Sequence, residues 1–466
     1  MTQQTVKPES VSGTRDLLPE DAIVSRTLTA RVQTVCESFG FVPIDTPCLE
    51  RWGVLTGNDP DFNKSLFRTK IVRGAEDKDV NEAELASADS TLRFDLTVPL
   101  ARIISAYPDL PRPFKRYQTG KVFRGERPQA GRFREFTQFD FDIIGSTSIA
   151  ADVEIIQMMY TIMRALGVPN FVIRFNTRKV LNGIAEIVDC KDKAKEFFRI
   201  IDKADKIGIE GITADLQRLP VNAFDENALA LSDAQIAIVQ RFLALRGLGT
   251  TETLEKLSAL IEESSNPVAK TGLDELRTMS ELLQNLAIPQ EFWAIDLSVA
   301  RGLDYYTGPV FETVLPDMPK LGSVLSGGRF DGLTNRFMPG SNIAGVGASV
   351  GLDRMIIALQ TLKLLPPAKT LTQVLVTIFN PELKSASMVL AQELREAGIN
   401  TEIYLGDDSM LRAQISYAKA QEIPFVMVLG PEEHEKGLVQ LKNMAARQQE
   451  LVKRSDCVTV VKSVLS

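Results

Sequence analysis

The chain has very few of the residues from which most metal and nucleophilic sites are built. Its 466 residues include one histidine, His434, and four cysteines that lie far apart, at Cys36, Cys48, Cys190 and Cys457. A Ser-His-Asp triad would have to use His434, and a metal site with several histidine ligands is excluded. The cysteine spacing supports neither a disulfide framework nor a CxxC zinc site. We therefore predict no metal site built from protein side chains.

Long apolar runs and an excess of positive charge are also missing. No apolar run approaches the roughly 18 residues of a membrane-spanning helix. The first ten residues, MTQQTVKPES, show neither a secretion signal nor an Arg-rich transit pattern. The formal net charge is −7, so a nucleic-acid surface would have to be a local patch. These absences predict a cytoplasmic protein that does not contact a membrane.

The most informative stretch covers residues 112–145, which the pattern predicts to be two strands joined by a loop. The first strand covers 115–124, a loop with two glycines and a proline follows, and the return strand covers 134–144. Alternation along the return strand separates apolar from mostly polar side chains. The mostly polar face consists of Arg134, Phe136, Gln138, Asp140 and Asp142.

That face suits a ligand that is partly anionic and partly cationic. Arginine side chains present planar forks to phosphates, and an aromatic ring offers a stacking surface for a base. Carboxylates and an amide can hold an amine. A solvated face of an antiparallel sheet explains the same alternation equally well. The alternation alone leaves both interpretations open.

Four motifs give the chain a resemblance to a known family. FRGERP followed by GRFREFTQFDFDIIG resembles motif 2 of the class II aminoacyl-tRNA synthetases, in its histidyl form. RGLDYYT at 301–307 resembles the signature peptide of the histidyl-tRNA synthetase family and is highly specific. SGGRFDGL and GVGASVGLDRM follow, and the second resembles class II motif 3, which alone would be a weak match. The motifs follow the family's order along nearly the whole chain.

The resemblance implies a two-domain architecture. It implies an α+β class II catalytic domain over residues 1–366, with an antiparallel sheet and flanking helices. Between about 178 and 290 apolar residues recur every three or four positions, which predicts a helical insertion. Prolines near 366 indicate a linker, and residues 371–466 alternate strand and helix patterns around a small, mostly parallel sheet. This second region resembles the family's α/β anticodon-binding domain.

Several local predictions depend on the same context. A helix from Pro19 to Phe39, followed by a proline-containing strand, is placed like class II motif 1, which implies a homodimer. An ordinary amphipathic helix on its own core explains that pattern too. Residues 91–102 are predicted to be extended, pointing Asp95 and Thr97 the same way, and 74–90 to be a polar loop. The insertion either contacts the tRNA acceptor arm or only stabilises the fold.

The resemblance also implies how ATP is bound. Arg124 matches the arginine on the α-phosphate, and Arg132 and Arg354 match the residues that hold the outer phosphates. Glu126 matches the residue near the adenine amine, and Phe136 matches the ring that stacks on adenine. Mg²⁺ is expected to bridge the phosphates of ATP.

A second set of residues is implied for L-histidine. Asp95, Thr97 and Gln138 match ligands of its α-amino group. Asp142 and Tyr306 match contacts to its imidazole, and Tyr305 lines the same pocket. Arg301 matches an arginine between the histidine carboxylate and the α-phosphate, so Arg301 and Arg124 are the expected catalytic residues.

The implied activity is ATP-dependent ligation of L-histidine to its tRNA through a histidyl-adenylate. Basic residues near the C-terminus, at Lys436, Lys442, Arg447, Lys453 and Arg454, are either a phosphate-contacting patch or a solvated face. One alternative function is a non-catalytic regulatory subunit of an ATP phosphoribosyltransferase. Such relatives typically lack the signature peptide and the anticodon domain, both of which this chain has. An enzyme that aminoacylates a non-tRNA acceptor is disfavoured by the same C-terminal domain.

Overall fold

The computed structural model describes residues 7–56, 66–69, 90–127, 133–221, 228–300, 306–365 and 368–465. They divide into two compact units. The first comprises the described parts of Met1–Asp16 and Thr27–Leu364, and the second comprises Leu17–Arg26 and the described parts of Leu365–Ser466. Arg132, Arg301, Tyr305 and nearly all of the predicted loop at 74–90 lie outside the described residues.

The first unit is built around an eight-stranded sheet. Its strands and those of a small second sheet are β1 (Val42–Pro43), β2 (Leu49–Arg51), β3 (Arg68–Thr69), β4 (Ser90–Leu92), β5 (Phe114–Phe123), β6 (Glu135–Ile144), β7 (Val172–Thr177), β8 (Trp293–Ile295), β9 (Pro309–Val314), β10 (Leu325–Arg329) and β11 (Gly345–Gly351). The large sheet has the order β1-β5-β6-β11-β10-β9-β7-β8, and β2-β4-β3 form the small one. Only the outer pairs β1–β5 and β7–β8 of the large sheet are parallel, so the predicted antiparallel sheet is confirmed.

Helices flank the large sheet and form the insertion between β7 and β8. They are α1 (Pro19–Ser38), α2 (Trp52–Leu55), α3 (Thr97–Ala106), α4 (Ile149–Ala165), α5 (Arg178–Ile187), α6 (Ala194–Ile201), α7 (Ala204–Gln217), α8 (Asp233–Leu243), α9 (Thr250–Ser264), α10 (Pro267–Asn285) and α11 (Leu352–Thr361). Helices α5 to α10 confirm the predicted helical insertion. The described part of the chain contains no helix that is both long and apolar enough to cross a membrane.

The first and last helices of the insertion pack unusually closely. A Cβ atom on Gly183 would lie 2.4 Å from the Cβ of Ala269, and one on Gly272 would lie 2.6 Å from the backbone nitrogen of Val180. Glu275 of α10 accepts a hydrogen bond from the hydroxyl of Thr177 at 2.7 Å. These contacts fix α5 and α10 to each other and to the end of β7.

Both faces of β6 are buried over most of its length. On the apolar face, Phe139 stacks on Tyr117 with 5.5 Å between ring centroids, and Phe141 meets Phe41 edge-on. On the other face, Gln138, Asp140 and Asp142 are at most 9% exposed. The solvated-face interpretation is therefore wrong, because this polar face lines a cavity.

Two local predictions in the first unit are wrong. The segment predicted to be extended over 91–102 ends its strand at Leu92, and Thr97 begins helix α3. Asp95 accepts a hydrogen bond from the backbone N–H of Val98 at 3.2 Å, and Pro99 tolerates the first helical turn, where its missing N–H has no partner. The pattern of residues 304–315 predicts a strand in which Pro309 marks a bulge or sheet edge, but β9 is an interior strand. Pro309 is its first residue, which a proline can occupy.

The second unit has a smaller, mixed sheet. Its elements are β12 (Val374–Val376), α12 (Lys384–Glu396), β13 (Thr401–Ile403), α13 (Leu411–Ala420), β14 (Phe425–Val428), α14 (Pro431–Glu435), β15 (Leu438–Asn443), β16 (Gln448–Lys453) and α15 (Cys457–Leu465). In the order β13-β12-β14-β15-β16, the first three strands are parallel and the last two pairs are antiparallel. The predicted mostly parallel sheet is wrong at this end, because β15 runs antiparallel to β14 and the unpredicted β16 runs antiparallel to β15.

Candidate active site

A cavity of about 520 Å³ opens over the polar face of β6. All of the described residues predicted to bind histidine line it, namely Asp95, Thr97, Gln138, Asp142 and Tyr306. A second cavity of about 170 Å³ is lined by the described residues predicted for ATP, namely Arg124, Glu126, Phe136 and Arg354. Arg124 and Gln138 line both cavities, so the two predicted sites adjoin each other.

The register of the sheet explains why these side chains meet. Residues directly opposite in neighbouring strands project from the same face. Asp142 lies between Arg116 of β5 and Gly347 of β11, and the next row on this face places Asp140 between Gln118 and Ser349. The face is therefore a polar floor made by the β5–β6 hairpin together with β11, which comes much later in the sequence.

Glycines in the floor leave room for two of the predicted ligands. A Cβ on Gly347 would lie 2.0 Å from Oδ1 of Asp142, and one on Gly328 would lie 2.8 Å from the ring of Tyr306. Real Cβ atoms do not approach so closely, so neither position accepts a larger side chain without displacing its neighbour. The SGGR and GVGAS segments thus supply the space beside Tyr306 and Asp142.

The two carboxylate oxygens of Asp95 have different surroundings. Oδ1 accepts the hydrogen bond from Val98, whereas Oδ2 is buried and has no hydrogen-bond partner among the described residues. Gln138 donates to the Ser349 hydroxyl at 2.9 Å, and its Oε1 has no described partner either. Buried acceptors are seldom left unpaired. The cavity therefore offers acceptors to an ammonium group, which has three N–H donors.

Three buried carboxyl groups give the cavity its electrostatic character. Burial raises the pKa of Asp95 and of Asp142 to about 7, and it raises the pKa of Asp140 as well. Asp140 raises the pKa of both Asp95 and Asp142, Asp95 also raises the pKa of Asp142, and Arg116 opposes these effects. Arg116 is completely buried, and its Nη2 lies 2.6 Å from Oδ2 of Asp142. A bound cation would relieve the repulsion among these carboxylates.

The smaller cavity combines positive charge with an aromatic surface. Arg124 donates to the Phe94 carbonyl at 3.1 Å, and its guanidinium lies 5.0 Å from the ring centroid of Phe136. Arg354 stands in the first turn of α11 and donates to the Ser323 carbonyl at 3.0 Å. The arrangement can stabilise an anion beside a stacked planar ring.

Arg15 of the N-terminal GTRD segment, residues 13–16, contacts two residues that line this cavity. Arg15 lies 2.5 Å from Asp353, and its guanidinium lies 4.2 Å from the ring centroid of Phe133. Asp353 also accepts the backbone N–H of Thr137 at 3.0 Å. These contacts connect the start of the chain to β6 and α11, which carry Phe136 and Arg354.

The sequence interpretation missed two sets of residues, cavity residues from the insertion and Arg116, the buried ion-pair partner of Asp142. The insertion contributes Arg178, Lys195, Phe198 and Arg199, with the Arg178 guanidinium 4.8 Å from the Phe198 ring centroid. No spacing or motif identifies them, because their position depends on how α5 and α6 pack. Arg116 was also missed, although it lies in the strand predicted over 115–124. Alternation in that strand puts Arg116 on the face opposite Tyr117, and this was a usable signal. Among the described residues, no three His, Cys, Asp or Glu side chains are grouped to hold a metal ion.

Comparisons with known proteins agree with one another. The family model described as histidyl-tRNA synthetase matches residues 13–355, and the model described as anticodon binding domain matches 373–464. A histidine–tRNA ligase of Helicobacter pylori strain G27 is 41% identical over 446 residues, or 95% of each chain. One from Wolinella succinogenes is 40% identical over 444 residues, with 95% of each chain covered.

Solved structures give the same result for the fold. The crystal structure of histidyl-tRNA synthetase from Nostoc sp. PCC 7120 has a TM-score of 0.84 at 31% identity, covering 98% of this chain and all of that one. A structure from Bacillus halodurans C described as an ATP phosphoribosyltransferase regulatory subunit/histidyl-tRNA synthetase has a TM-score of 0.70 at 23% identity. It covers 89% of this chain and 97% of its own, and the likeness concerns the fold alone.

Proposed function

The chain belongs to the histidyl-tRNA synthetase family, and from this premise we propose that it joins L-histidine to its cognate tRNA in an ATP-dependent reaction. A histidyl-adenylate is the intermediate. The observation that carries the proposal is the adjacency of two different sites. A cavity with buried acceptors for an ammonium lies beside one with an arginine, a ring and a second arginine for a nucleotide.

In the first step, a carboxylate oxygen of histidine attacks the α-phosphorus of ATP, and pyrophosphate leaves. Arg124 stabilises the charge that develops on the α-phosphate. Arg354 and Arg132 hold the outer phosphates, Phe136 stacks on adenine, and Glu126 contacts the adenine amine. These groups position the reactants and neutralise charge without forming covalent bonds to them.

The amino acid is held by the larger cavity. Asp95, Thr97 and Gln138 bind its α-ammonium, for which Asp95 Oδ2 and Gln138 Oε1 are available acceptors. Asp142 and Tyr306 bind the imidazole, and Tyr305 lines the same pocket. We assign to Arg301 the role of bridging the histidine carboxylate and the α-phosphate, where it acts with Arg124 on the reacting groups.

Mg²⁺ enters as part of the substrate, bound to the phosphates of ATP. This cation prefers phosphate oxygens and water, with one or two carboxylates, over a cage of protein ligands. Bound there beside Arg354 and Arg132, the ion would offset the negative charge of the outer phosphates.

In the second step, the terminal ribose of the tRNA attacks the acyl carbon and AMP leaves. We assign the adenylation chemistry to residues 1–366 and anticodon recognition to 371–466. Lys195, Phe198 and Arg199 line the larger cavity from the insertion, which supports a role for the insertion at the acceptor arm. We further propose a homodimer through α1 and β1, acting in the cytoplasm together with its tRNA.

The test is ATP–pyrophosphate exchange with each of the twenty amino acids in turn. The proposal expects exchange with histidine alone, followed by charging of histidine tRNA. Exchange with no amino acid would refute the proposal and favour a regulatory subunit of ATP phosphoribosyltransferase. Exchange with histidine without transfer to tRNA would favour a different acceptor.

A further inference from the structure

One wall of the larger cavity is a buried segment without regular secondary structure. Residues 296–300 follow strand β8, and Val299 and Ala300 line the cavity. Every residue of the segment is buried, at 8% exposure or less. Its backbone therefore needs hydrogen-bond partners other than water. These partners come mainly from β7, which pairs with β8 at one edge of the sheet.

Asn176 of β7 holds the backbone of this segment. It is completely buried, and its Nδ2 donates to the carbonyls of Leu297 at 3.0 Å and Val299 at 3.3 Å. Its Oδ1 accepts the backbone N–H of Thr177 at 2.8 Å, which fixes the orientation of the amide. One side chain thus sets the path of the chain immediately before it reaches the cavity.

Asp296 fixes the beginning of the segment. Its backbone N–H donates to the Phe175 carbonyl at 3.0 Å, and its Oδ1 accepts both the N–H and the hydroxyl of Ser298. Burial raises the pKa of Asp296, but the Ser298 hydroxyl and nearby arginines outweigh burial, so the pKa lies below its ordinary value. The carboxylate is therefore charged and able to hold both arginines at neutral pH.

Two arginines bind Asp296 from different parts of the unit. Arg174 of β7 lies 3.0 Å from its Oδ2 and also 3.2 Å from Oε1 of Glu312, another residue that lines the cavity. Arg246, which follows helix α8 in the insertion, lies 3.4 Å from Oδ1. Asp296 therefore joins the insertion to the cavity wall.

We propose that Asn176 and Asp296 are positioning residues for the histidine pocket. Arg246 anchors Asp296 to the helical insertion through their ion pair. The inference rests on the proposed function, because it assigns these residues to the pocket where histidine is adenylated. They touch no reacting atom and act by fixing residues 297–300, which form the wall and lead directly into the signature peptide at Arg301. Small displacements of such a wall reduce rates strongly, because reactive geometry tolerates little error.

The experiment uses the full-length protein with two substitutions at Arg246 and one control substitution at Arg241. Arg246→Ala removes the outer contact, and Arg246→Lys keeps its charge. Arg241→Ala is the matched control, because Arg241 is another insertion arginine in an ion pair, with Glu263, away from the cavity. Histidine-dependent ATP–pyrophosphate exchange gives kcat and both KM values, and thermal unfolding reports stability. Asn176→Ala is measured in the same way.

The proposal expects Arg246→Ala to lower kcat/KM for histidine about tenfold, with the KM for ATP within about twofold of wild type. Arg246→Lys should recover part of the loss, and Asn176→Ala should show a larger loss of the same kind. Unchanged exchange in Arg246→Ala would overturn the proposal. So would equal losses for ATP and histidine that follow a lowered Tm, since these indicate general destabilisation. Absence of exchange in the wild-type protein would instead refute the proposed function.

Discussion

Asp142 and Arg116 form a buried ion pair, and this pair decides which substitution can test the imidazole site. Removing the whole side chain of Asp142 would leave a fully buried guanidinium without its partner, which commonly costs about 3–5 kcal/mol of stability. Asp142→Asn keeps the shape and removes the charge. We expect the histidine kcat/KM to fall roughly 10- to 100-fold, from the energy of hydrogen bonds to charged groups, with little change in the KM for ATP.

The matched control for Asp142 is Glu154→Gln in helix α4, which breaks an ion pair with Lys115, the neighbour of Arg116 on β5, outside the cavity. ATP–pyrophosphate exchange and thermal unfolding are measured for both variants. An equal rise in the KM values for ATP and histidine in Asp142→Asn would mean that Asp142 serves the fold and not the amino acid.

The carboxyl of Asp95 predicts a proton linkage. Its pKa is raised from 3.8 to about 7, so the ligand-free group is partly protonated near neutral pH. Binding an ammonium favours the ionised form, so the KM for histidine should fall as pH rises through 7 and level off above it. In exchange assays between pH 6 and 8.5, Asp95→Asn should weaken binding and make this pH dependence shallower, leaving the part due to Asp142. An unchanged profile would contradict the linkage.

The raised pKa of Asp95 has the opposite effect on the folding stability of the ligand-free chain, which falls as pH rises. A carboxyl whose folded pKa exceeds its unfolded value contributes stability that is present below the unfolded pKa and lost as pH rises through 7. The pocket therefore opposes folding most at the pH where it binds histidine best. Such a conflict is typical of groups placed for a ligand and not for packing.

The alternation of side chains along a strand identified site residues whose common face the motifs alone would not explain. The parity of β6 put Gln138, Asp140 and Asp142 on one face, because a strand has a fixed period of two. It could not say whether that face met water or a cavity, since this depends on β10 and β11, which come much later in the sequence. Arg178 and Lys195 could not be found at all, because helix packing carries them to the cavity.

Among the elements, α5 and α10 make the contact that fixes the insertion, and it depends on glycine. A Cβ on Gly272 would lie 2.6 Å from the Val180 backbone nitrogen, which cannot rotate away as a side chain would. Alanine has a helix propensity about 1 kcal/mol more favourable than that of glycine, so Gly272→Ala gains this amount from propensity. The measured loss of stability would therefore be smaller than the cost of the clash itself. We expect Gly272→Ala to destabilise the protein by about 1–3 kcal/mol in denaturant unfolding.

Gly53→Ala is the control for the gain in helix propensity. Gly53 lies in α2, and a Cβ there would meet nothing within 4 Å. This variant should be as stable as wild type or slightly more stable. If Gly272→Ala matched it, the close approach of α5 and α10 would not be a constraint on the insertion.

Long elements with one strong period were predictable, and short elements set by distant contacts were not. The helix at Pro19–Ser38 and the β5–β6 hairpin follow from local pattern and are confirmed. Strand β16 has one buried residue, Val452, so its pairing with β15 determines it more than its own sequence. Helix α3 was misassigned because nearly all its residues are apolar or small, and only Asp95 just before the helix and Pro99 in the first turn signal a helix.

At the scale of the whole molecule, the two units are proposed to divide the two recognition tasks. Residues for adenylation come from 95–354, and the anticodon is assigned to 371–466. Deleting the second region would also remove the partners of Leu17–Arg26, which belong to the same compact unit. Substitutions in the full-length chain are therefore the sharper test of this division.

The β15–β16 hairpin offers that test. Its register puts Lys442 and Lys453 on one face, opposite the face that buries Val439 and Val452, whereas Arg454 of the predicted basic patch is paired with Glu393. If this face contacts tRNA phosphates, Lys442→Ala with Lys453→Ala should raise the KM for tRNA several-fold. Each lost phosphate contact should also reduce the salt dependence of tRNA binding by about one in log–log slope.

Histidine-dependent exchange should stay at the wild-type level in that double variant, because no adenylation residue has been touched. Lys462→Ala is the control, an exposed lysine of the same unit on helix α15, and it should leave both steps unchanged. Undiminished charging at limiting tRNA would remove the hairpin from the tRNA surface. A parallel loss of exchange and charging would contradict the division itself, since residues of the second unit would then act on a step assigned to the first.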